Sequence, residues 1–311
     1  MTRAETIKTG LLFVLAIFLA VIGLPMLFSM HHNAYAAPEP KELSRSEMQY
    51  VNERIAPYCQ SPGEVKPAEF TMANPPTSPE VPVFIYHRVT ERDPPSHEVI
   101  HPMAFKEQMQ YLKDHGYNTI TTQQLVDYMS RGLPVPPKSV VLTFDDGWKD
   151  MEKVGKWLKD DYDFAATFYI ISGFFENKAY VDEEDVQELA KNPKFEIGSH
   201  THTHFVKYEG KINQLELCTM AGEMVSSKHI LERVTGKPVK SIAWPYGYNT
   251  KEAISVAGQL GYTSTALVYR DAKNQQGNSP LFIRRMNIDG TCPITAFREM
   301  LETHQLKECM Q

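Results

Sequence analysis

The chain has 311 residues, of which 42% are hydrophobic, and its acidic side chains outnumber its basic ones by 38 to 32. Without residues 1–36, which carry two basic groups and one acidic group, the balance becomes 37 to 30 and the formal charge changes from −6 to −7. This acidic balance argues against a surface that binds nucleic acid or anionic lipid. The roughly 275 remaining residues suit one large α/β domain with a lead-in segment.

The first 36 residues have the order of a secretory signal. Residues 11–30 form an uncharged apolar run after Arg3 and Lys8, and a small-x-small sequence ends at Ala36. The run is longer than the apolar part of most signals and long enough to span a bilayer. We therefore predict either cleavage after Ala36 or an uncleaved anchor in the inner membrane, which would be the only membrane contact. In both cases the rest of the chain would be extracytoplasmic, either periplasmic or secreted.

Residues 37–80 are rich in proline and precede the first clear strand. We predict a linker or a surface strap there, with one helix from Ser44 to Ile55. Residues 81–311 would form the main domain. Four cysteines follow position 36, at 59, 218, 292 and 309. In an oxidising compartment they can form disulfides with three possible connectivities, and the alternative is that they are buried thiols.

From Val81 onward, strand and helix patterns alternate about seven times. The predicted strands lie at Val83–Tyr86, Tyr117–Ile120, Val140–Phe144, Phe164–Ile171, Phe195–Gly198, Ser241–Ala243, Thr263–Val268 and Phe282–Ile288. The predicted helices lie at Phe105–His115, Thr122–Ser130, the segment through Trp157 and Leu158, Glu183–Ala190, Leu215–Val234, Thr250–Leu260 and Ile294–Leu306. Such alternation is typical of parallel strands with helical crossovers. No Gly-x-Gly-x-x-Gly follows the first strand, which removes the usual dinucleotide-binding interpretation, and we predict a closed or nearly closed barrel.

Polar residues recur just past the C-terminal ends of the predicted strands. They are His87, Asp145, Asp146, His200, His204 and Tyr246. In a parallel barrel all these strand ends open on one face, which is where barrel enzymes keep their active sites. The sequence therefore predicts that these side chains meet at one mouth of the barrel.

His200 and His204 are candidates for metal ligands. Four residues apart, they share a face on a helical turn, and on an extended segment they share one with His202. With Asp146 they make a set of two histidines and one carboxylate, which leaves coordination positions open for water and substrate. Zn²⁺ is the default divalent metal for such a set, and Co²⁺, Ni²⁺ or Fe²⁺ stay open. The alternative is a polar loop that holds histidines by chance.

The neighbouring residues offer the remaining parts of a hydrolytic site. Metal-bound water has a pKa near 7, and Asp145 beside it is a candidate base, although an Asp-Gly pair is also common in simple turns. The backbone N–H of Tyr246 is a candidate for stabilising an oxyanion, and Trp244 and Pro245 complete its turn and are candidates for substrate contact. His87 is the candidate acid for the leaving group, and the alternative is a histidine that only caps a strand end.

Three segments, in order along the chain, carry a family resemblance. Thr143–Gly147, His200–His204 and Trp244–Gly247 resemble successive motifs of the NodB-like polysaccharide deacetylases, carbohydrate esterase family 4, and the likeness runs from about Val81 to Ile288. It implies a distorted (β/α) barrel of about seven parallel strands in a catalytic domain at residues 81–311. It also implies a metal-dependent hydrolase that removes N-acetyl groups from an acetylated glycan by attack of metal-bound water on the acetamide carbonyl.

By that resemblance Asp145 is the base, and Asp146, His200 and His204 bind the metal. The segment Tyr86–Val89 resembles the Tyr-His-x-Val segment of the branch that deacetylates poly-β-1,6-N-acetylglucosamine, in which this early histidine is the acid. We therefore predict a poly-N-acetylglucosamine-like substrate.

Two positions depart from the family pattern. Ala243 stands where many members have an arginine that holds the catalytic aspartate, and Arg284 or Arg285 is a candidate replacement. The C-terminal Leu301 and His304 have the wrong spacing for the Leu-x-His that supplies the acid in other branches.

The departures keep alternative functions open. A catalytically silent glycan-binding module is one, and a deacylase of peptidoglycan, of chitin or of another acyl compound is another. Four aromatic residues near the motif ends could line a sugar-binding groove or simply pack the barrel mouth. They are Trp148, Trp244, Tyr246 and Tyr248.

Overall fold

The computed structural model of the protein describes residues 38–60, 65–69, 78–205 and 214–309. The predicted signal or anchor at residues 1–36 and parts of the predicted linker lie outside these ranges, so both stay predictions. Among the helices of the described residues, none is long and apolar enough to cross a membrane.

Ten strands and eight α-helices make up the described part of the chain. The strands are β1 (Val83–Tyr86), β2 (Arg88–Val89), β3 (Val99–Ile100), β4 (Asn118–Ile120), β5 (Ser139–Phe144), β6 (Ala166–Ile170), β7 (Phe195–Ser199), β8 (Ser241–Ala243), β9 (Ser264–Val268) and β10 (Ile283–Asn287). The helices are α1 (Arg45–Gln60), α2 (Pro102–Asp114), α3 (Thr122–Arg131), α4 (Met151–Trp157), α5 (Glu183–Lys191), α6 (Gln214–Thr235), α7 (Lys251–Gln259) and α8 (Ile294–Thr303).

Seven parallel strands close into a barrel, which confirms the predicted fold class. Their order around the ring is β1, β5, β6, β7, β8, β9, β10 and back to β1. The closing pair aligns Val83 with Val141 and Tyr86 with Phe144. One of the eight predicted strands, β4, is not part of the ring. It pairs only with the first half of β5, while β6 pairs with the second half.

Helix α3 packs at the N-terminal end of the barrel. Thr121 begins it with a capping box, and Gly132 ends it in the left-handed conformation at φ 67°. Its Leu125 and Met129 share one buried cluster with Val83, at the start of β1, and with residues of the neighbouring strands. Each such buried side chain stabilises the fold by roughly 1.5–3 kcal/mol. Because apolar side chains fill this end of the barrel, a polar site can only lie at the opposite, C-terminal end.

The lead-in segment packs against α6. A disulfide joins Cys59 at the end of α1 to Cys218 in α6, and Tyr50 stacks on His229 with ring centroids 3.9 Å apart. The predicted helix at Ser44–Ile55 extends to Gln60. A second disulfide joins Cys292 to Cys309, so the four cysteines adopt one of the three possible connectivities.

Local differences from the predicted elements have simple causes. β2 and β3 have two residues each, which is too short for any periodicity to indicate them. The helix after β5 ends in a turn of π-helix at Leu158–Tyr162. Helix α8 ends at Thr303 rather than at Leu306, because His304 turns to the left-handed conformation at φ 53°.

Candidate active site

The loops at the C-terminal mouth of the barrel are unusual in their backbone conformation. Seven non-glycine residues of the described chain have a positive φ, and four of them lie here. These four are Asp146 after β5 (φ 75°), Thr201 and His204 after β7 (65° and 62°) and Tyr246 after β8 (55°). Such conformations cost on the order of 1–3 kcal/mol each and cluster where a fold must aim a particular group. The strain therefore points to the same mouth as the sequence motifs do.

Asp146, His200 and His204 come together at this mouth. One ligand atom from each lies within 4.8 Å of the others, and no other such group of three occurs among the described residues. The Nε2 atoms of His200 and His204 lie 3.3 and 3.4 Å from the same oxygen, Oδ1 of Asp146. His202, which would share a face with them on an extended segment, instead places its Nδ1 2.9 Å from the hydroxyl of Ser172.

The hydrogen bonds around these three side chains suit a divalent cation. Nδ1 of His200 lies 2.9 Å from the carbonyl oxygen of Ala243, so this nitrogen carries the proton. In a neutral His200 the lone pair on Nε2 then faces the carboxylate of Asp146, and two acceptors so close together require a proton or a cation between them. The second oxygen of Asp146 accepts a hydrogen bond of 2.9 Å from the indole of Trp148. Such outer partners are typical of metal-binding histidines and carboxylates.

The hydrogen bonds between Asp146 and the two histidines also shift the pKa values of Asp146 and His200. Burial opposes the charged form of Asp146, but hydrogen bonds from His200 and His204 outweigh it and hold the pKa of Asp146 well below its usual range. Burial likewise opposes a charged His200, but the hydrogen bond to Asp146 and the charge of Asp145 outweigh it and raise the pKa of His200. The space between these side chains therefore attracts positive charge.

Asp145 has a buried partner that the sequence suggested only weakly. Arg285 on β10 is 0% exposed, and its two terminal nitrogens donate to the two carboxylate oxygens of Asp145 at 2.7 and 2.8 Å. The same guanidinium also donates to the hydroxyl of Thr143 at 3.0 Å. Burial acts to raise the pKa of Asp145, but the charge and hydrogen bonds of Arg285 outweigh it and lower that pKa. Arg284, the other candidate, pairs with Asp271 instead.

His87 follows β1 at the same mouth of the barrel. It is near enough to Asp145 and Asp146 that its electrostatic interaction with them contributes to lowering both of their pKa values. Its Nδ1 is buried and has no hydrogen-bond partner among the described residues. His304 lies elsewhere, with its Nδ1 3.1 Å from the carboxylate of Glu80, which precedes β1. The arrangement therefore brings the early histidine, and not the C-terminal one, to the candidate site.

The turn after β8 divides its residues between the core and the surface. Trp244 is only 1% exposed and Pro245 is buried, so their side chains offer no surface to a sugar. Tyr246 is 57% exposed, and its ring centroid lies 4.8 Å from that of His204. Tyr248 is also exposed, whereas Trp148 stacks on Tyr180 with centroids 4.4 Å apart. Of the three residues predicted to contact substrate from this turn, only Tyr246 presents its side chain.

Sequence reasoning missed Glu223 on α6, which accepts hydrogen bonds from the loop between His200 and His204. A glutamate inside a long helix carries no signal of such a role, because its partners are backbone groups of another segment. The sequence indicated only that His202 would share a face with His200 and His204 on an extended segment. In the structure it is buried, and burial lowers its pKa to about 4.

The protein is therefore a (β/α)-barrel protein with a candidate metal centre at the C-terminal mouth of the barrel. The sequence model of the family described as Polysaccharide deacetylase matches residues 132–265. The matched segment includes Asp145, Asp146, His200 and His204, and over it the chain is similar to this family, that of the NodB-like deacetylases.

Several known proteins resemble this chain. It is 26% identical over 183 residues to YxkH of Bacillus subtilis (strain 168), and the match covers 59% of the chain and 62% of that protein. It is 25% identical over 186 residues to the poly-β-1,6-N-acetyl-D-glucosamine N-deacetylase of Staphylococcus aureus (strain MSSA476), which covers 57% of the chain and 63% of that enzyme. The matches thus span less than two thirds of these relatives.

Two solved structures share the fold. BC0361, a polysaccharide deacetylase from Bacillus cereus, superposes with a TM-score of 0.60 at 27% identity, over 72% of this chain and 69% of that one. The deacetylase PplD of Streptococcus pyogenes superposes with a TM-score of 0.65 at 23% identity, over 72% of this chain and 99% of that one.

Proposed function

We propose that the protein is a metal-dependent hydrolase that removes N-acetyl groups from an extracytoplasmic, poly-N-acetylglucosamine-like polysaccharide. One observation carries this proposal. A buried carboxylate held by an arginine fork, Asp145 with Arg285, lies beside the converging group of Asp146, His200 and His204 at the mouth of the barrel. A module that only bound glycans would not require this combination.

Asp146, His200 and His204 are the residues that would hold the cation. When bound there, a divalent cation supplies a Lewis acid that polarises the acetamide carbonyl and makes water acidic enough to be activated at neutral pH. The two-histidine, one-carboxylate set matches zinc, and Co²⁺, Ni²⁺ and Fe²⁺ are compatible with the same ligands.

Residues of the chain carry out the proton transfers and stabilise the oxyanion. Asp145 accepts a proton from the attacking water, whose oxygen forms a bond to the acetamide carbon, and Arg285 keeps that carboxylate ionised and oriented. The backbone N–H of Tyr246 stabilises the developing oxyanion. His87 gives a proton to the nitrogen as the C–N bond breaks, so the products are acetate and a free amine on the sugar.

Two observations favour this substrate class. The relative in Staphylococcus aureus is named as a poly-β-1,6-N-acetyl-D-glucosamine N-deacetylase. The second is the position of His87 at the end of β1 near both aspartates. The two disulfides favour an oxidising compartment, as expected for an enzyme that acts outside the cytoplasm.

The test is acetate release by the full chain from β-1,6-linked N-acetylglucosamine oligomers, with chitin oligomers and peptidoglycan in parallel. Each substrate is incubated with enzyme that has been stripped by a chelator and with enzyme reloaded with Zn²⁺ or Co²⁺. We expect metal-dependent release from the β-1,6 oligomer and none from an Asp145→Asn control. Release only from another glycan would change the substrate, and a chain that binds metal but releases no acetate would contradict the proposal.

A further inference from the structure

A carboxylate from a different element holds the loop that carries the two histidines. Glu223 lies in the third turn of α6, and its Oε2 accepts the backbone N–H groups of His202 at 2.8 Å and of Thr203 at 2.6 Å. Its Oε1 accepts the hydroxyl of Thr203 at 2.8 Å. One side chain therefore satisfies three donors in the segment between His200 and His204.

The loop needs such support because its backbone is strained. Thr201 and His204 have φ values of 65° and 62°, which side chains with a Cβ rarely adopt. The loop forms no helix or strand that would fix these angles. Without external contacts it would relax, and the imidazoles of His200 and His204 would no longer point at the same oxygen of Asp146.

Helix α6 presents Glu223 from a fixed support. Ser227, one turn further on, accepts a buried hydrogen bond of 2.8 Å from the hydroxyl of Ser199 at the end of β7. The hydroxyl of Tyr262 donates to the carbonyl oxygen of Met224 at 2.9 Å, also in the interior. Burial raises the pKa of Glu223, in spite of the hydrogen bonds that it accepts from Thr203 and His202.

We propose that Glu223 is a positioning residue for the candidate metal centre, because it fixes the loop conformation in which His200 and His204 converge on Asp146. This inference rests on the proposed function, since it takes these three side chains to be metal ligands. The role that these contacts support depends on the reach of the side chain and on its three hydrogen bonds.

Whether the role depends on these hydrogen bonds or on the negative charge can be tested with two substitutions of opposite character. In Glu223→Gln the amide oxygen can accept both backbone N–H groups, and the amide nitrogen can donate to the hydroxyl of Thr203. In Glu223→Asp the charge stays, but the side chain is one methylene too short to reach the loop. If Glu223 acted through its charge on the cation, Glu223→Asp would bind Zn²⁺ more tightly than Glu223→Gln. If Glu223 acts by positioning the loop, Glu223→Gln binds Zn²⁺ more tightly than Glu223→Asp.

The experiment measures Zn²⁺ affinity of the full chain by competition with a chromophoric chelator, and the visible absorption of bound Co²⁺. Glu232→Ala is the matched control, because Glu232 lies on the same helix and accepts the backbone N–H of Val239 at 3.0 Å, away from the site. We expect Glu223→Asp and Glu223→Ala to lower the Zn²⁺ affinity by about 10–100-fold and to alter the Co²⁺ spectrum. Glu223→Gln and Glu232→Ala should resemble the unchanged chain in both measurements.

Unchanged Zn²⁺ affinity in Glu223→Asp, or a loss in Glu223→Gln equal to that in Glu223→Asp, would overturn the proposal. If Glu223→Ala does not fold, the comparison of Gln with Asp decides, because both keep a polar side chain. An unchanged chain that binds no Zn²⁺ would overturn this proposal together with the metal centre. Tight Zn²⁺ binding with the expected ranking, but no acetate release from any glycan, would instead overturn the proposed function alone.

Discussion

Arg285 reaches Asp145 across the interior of the barrel, from β10 to the end of β5. Its fork occupies both carboxylate oxygens, while the carbonyl oxygen of Ala243 serves His200. Ala243, at the position where the family resemblance led us to expect an arginine, is fully buried and belongs to the core. The missing arginine at position 243 suggested that Asp145 could lack a partner, as in a catalytically silent module. Arg285 is that partner, so this argument for a silent module does not apply.

The first prediction concerns this fork. Arg285→Lys keeps a positive charge but cannot donate two parallel hydrogen bonds, so Asp145 loses its orientation. We expect kcat for acetate release to fall on the order of 10- to 100-fold, the range of about 1.5–3 kcal/mol for one hydrogen bond to a charged group. The measurement is steady-state kinetics of the metal-loaded enzyme.

Arg284→Lys is the matched control for Arg285→Lys. Arg284 is the neighbouring residue on the same strand, but its side chain pairs with Asp271 and stacks over Tyr269 with its guanidinium carbon 4.2 Å from the ring centre. The Arg284→Lys variant should therefore have a kcat close to that of the unchanged enzyme. If both lysine variants lost the same activity, the specific role of Arg285 would be refuted.

The second prediction concerns the outer partner of Asp146. Trp148→Phe removes the indole N–H that donates to Oδ2 of Asp146 but retains an aromatic ring to stack on Tyr180. We expect Zn²⁺ affinity to fall by about tenfold or more, because a ligating carboxylate that loses its outer hydrogen bond is less well oriented. Competition titration measures this, and Trp157→Phe, on α4, is the control that should not change the affinity.

At the scale of elements, α6 connects the lead-in segment with the candidate site. Cys218 and His229 on one side of the chain's longest described helix contact α1, and Glu223 between them contacts the histidine loop. Lys41 also donates its backbone N–H to Gly173 at 2.8 Å, and Gly173 donates to the carbonyl oxygen of His202 at 2.8 Å. The lead-in therefore packs behind the loop and adds to its support.

The third prediction compares the two disulfides. Cys59–Cys218 closes a span of 159 residues and Cys292–Cys309 one of 17 residues. By the entropy of loop closure in the unfolded chain, they stabilise the fold by about 5 and about 3 kcal/mol, respectively. Replacing both cysteines of the long span by alanine should therefore cost more free energy of unfolding than replacing both cysteines of the short one.

Denaturant titration of the two double variants measures these losses. An equal loss, or a larger loss for Cys292→Ala/Cys309→Ala, would show that native contacts of the C-terminal segment outweigh the effect of loop length.

At the scale of the whole molecule, the sequence predicted most of what positions the site. Glycines that end helices, such as Gly132, and apolar runs such as β5 locate the elements from local information alone. The polar residues at the strand ends then identify the mouth of the barrel, because parallel strands in one barrel share their C-terminal face.

What the sequence could not predict depends on the closure of the ring. The contact of Arg285 with Asp145 joins residues 140 positions apart and follows from β10 and β5 both pairing with β1. The position of β4 outside the ring was not visible either, because its pattern does not differ from that of a barrel strand. The disulfide connectivity was open for the same reason, since it depends on how α1 packs on α6.

The last prediction links the metal to the stability of the whole domain. A ligand that binds only the folded chain raises the free energy of unfolding by RT ln(1 + [L]/Kd), which is about 2.7 kcal/mol at a free concentration of 100 Kd. For a domain of this size, we expect addition of Zn²⁺ to the chelated protein to raise Tm by about 5 °C or more. Thermal melts at increasing Zn²⁺ concentrations measure the shift.

Variants separate this specific effect from general binding of Zn²⁺. His204→Ala should abolish the rise in Tm, because it removes one of the three converging candidate ligands. His115→Ala should preserve the rise, since His115 is an exposed residue that stacks on Tyr111 at the end of α2. A rise that survives in His204→Ala would place the stabilising cation elsewhere in the chain and contradict the assignment of His204, whereas a rise lost only in that variant would tie the cation to the strained loop that α6 supports.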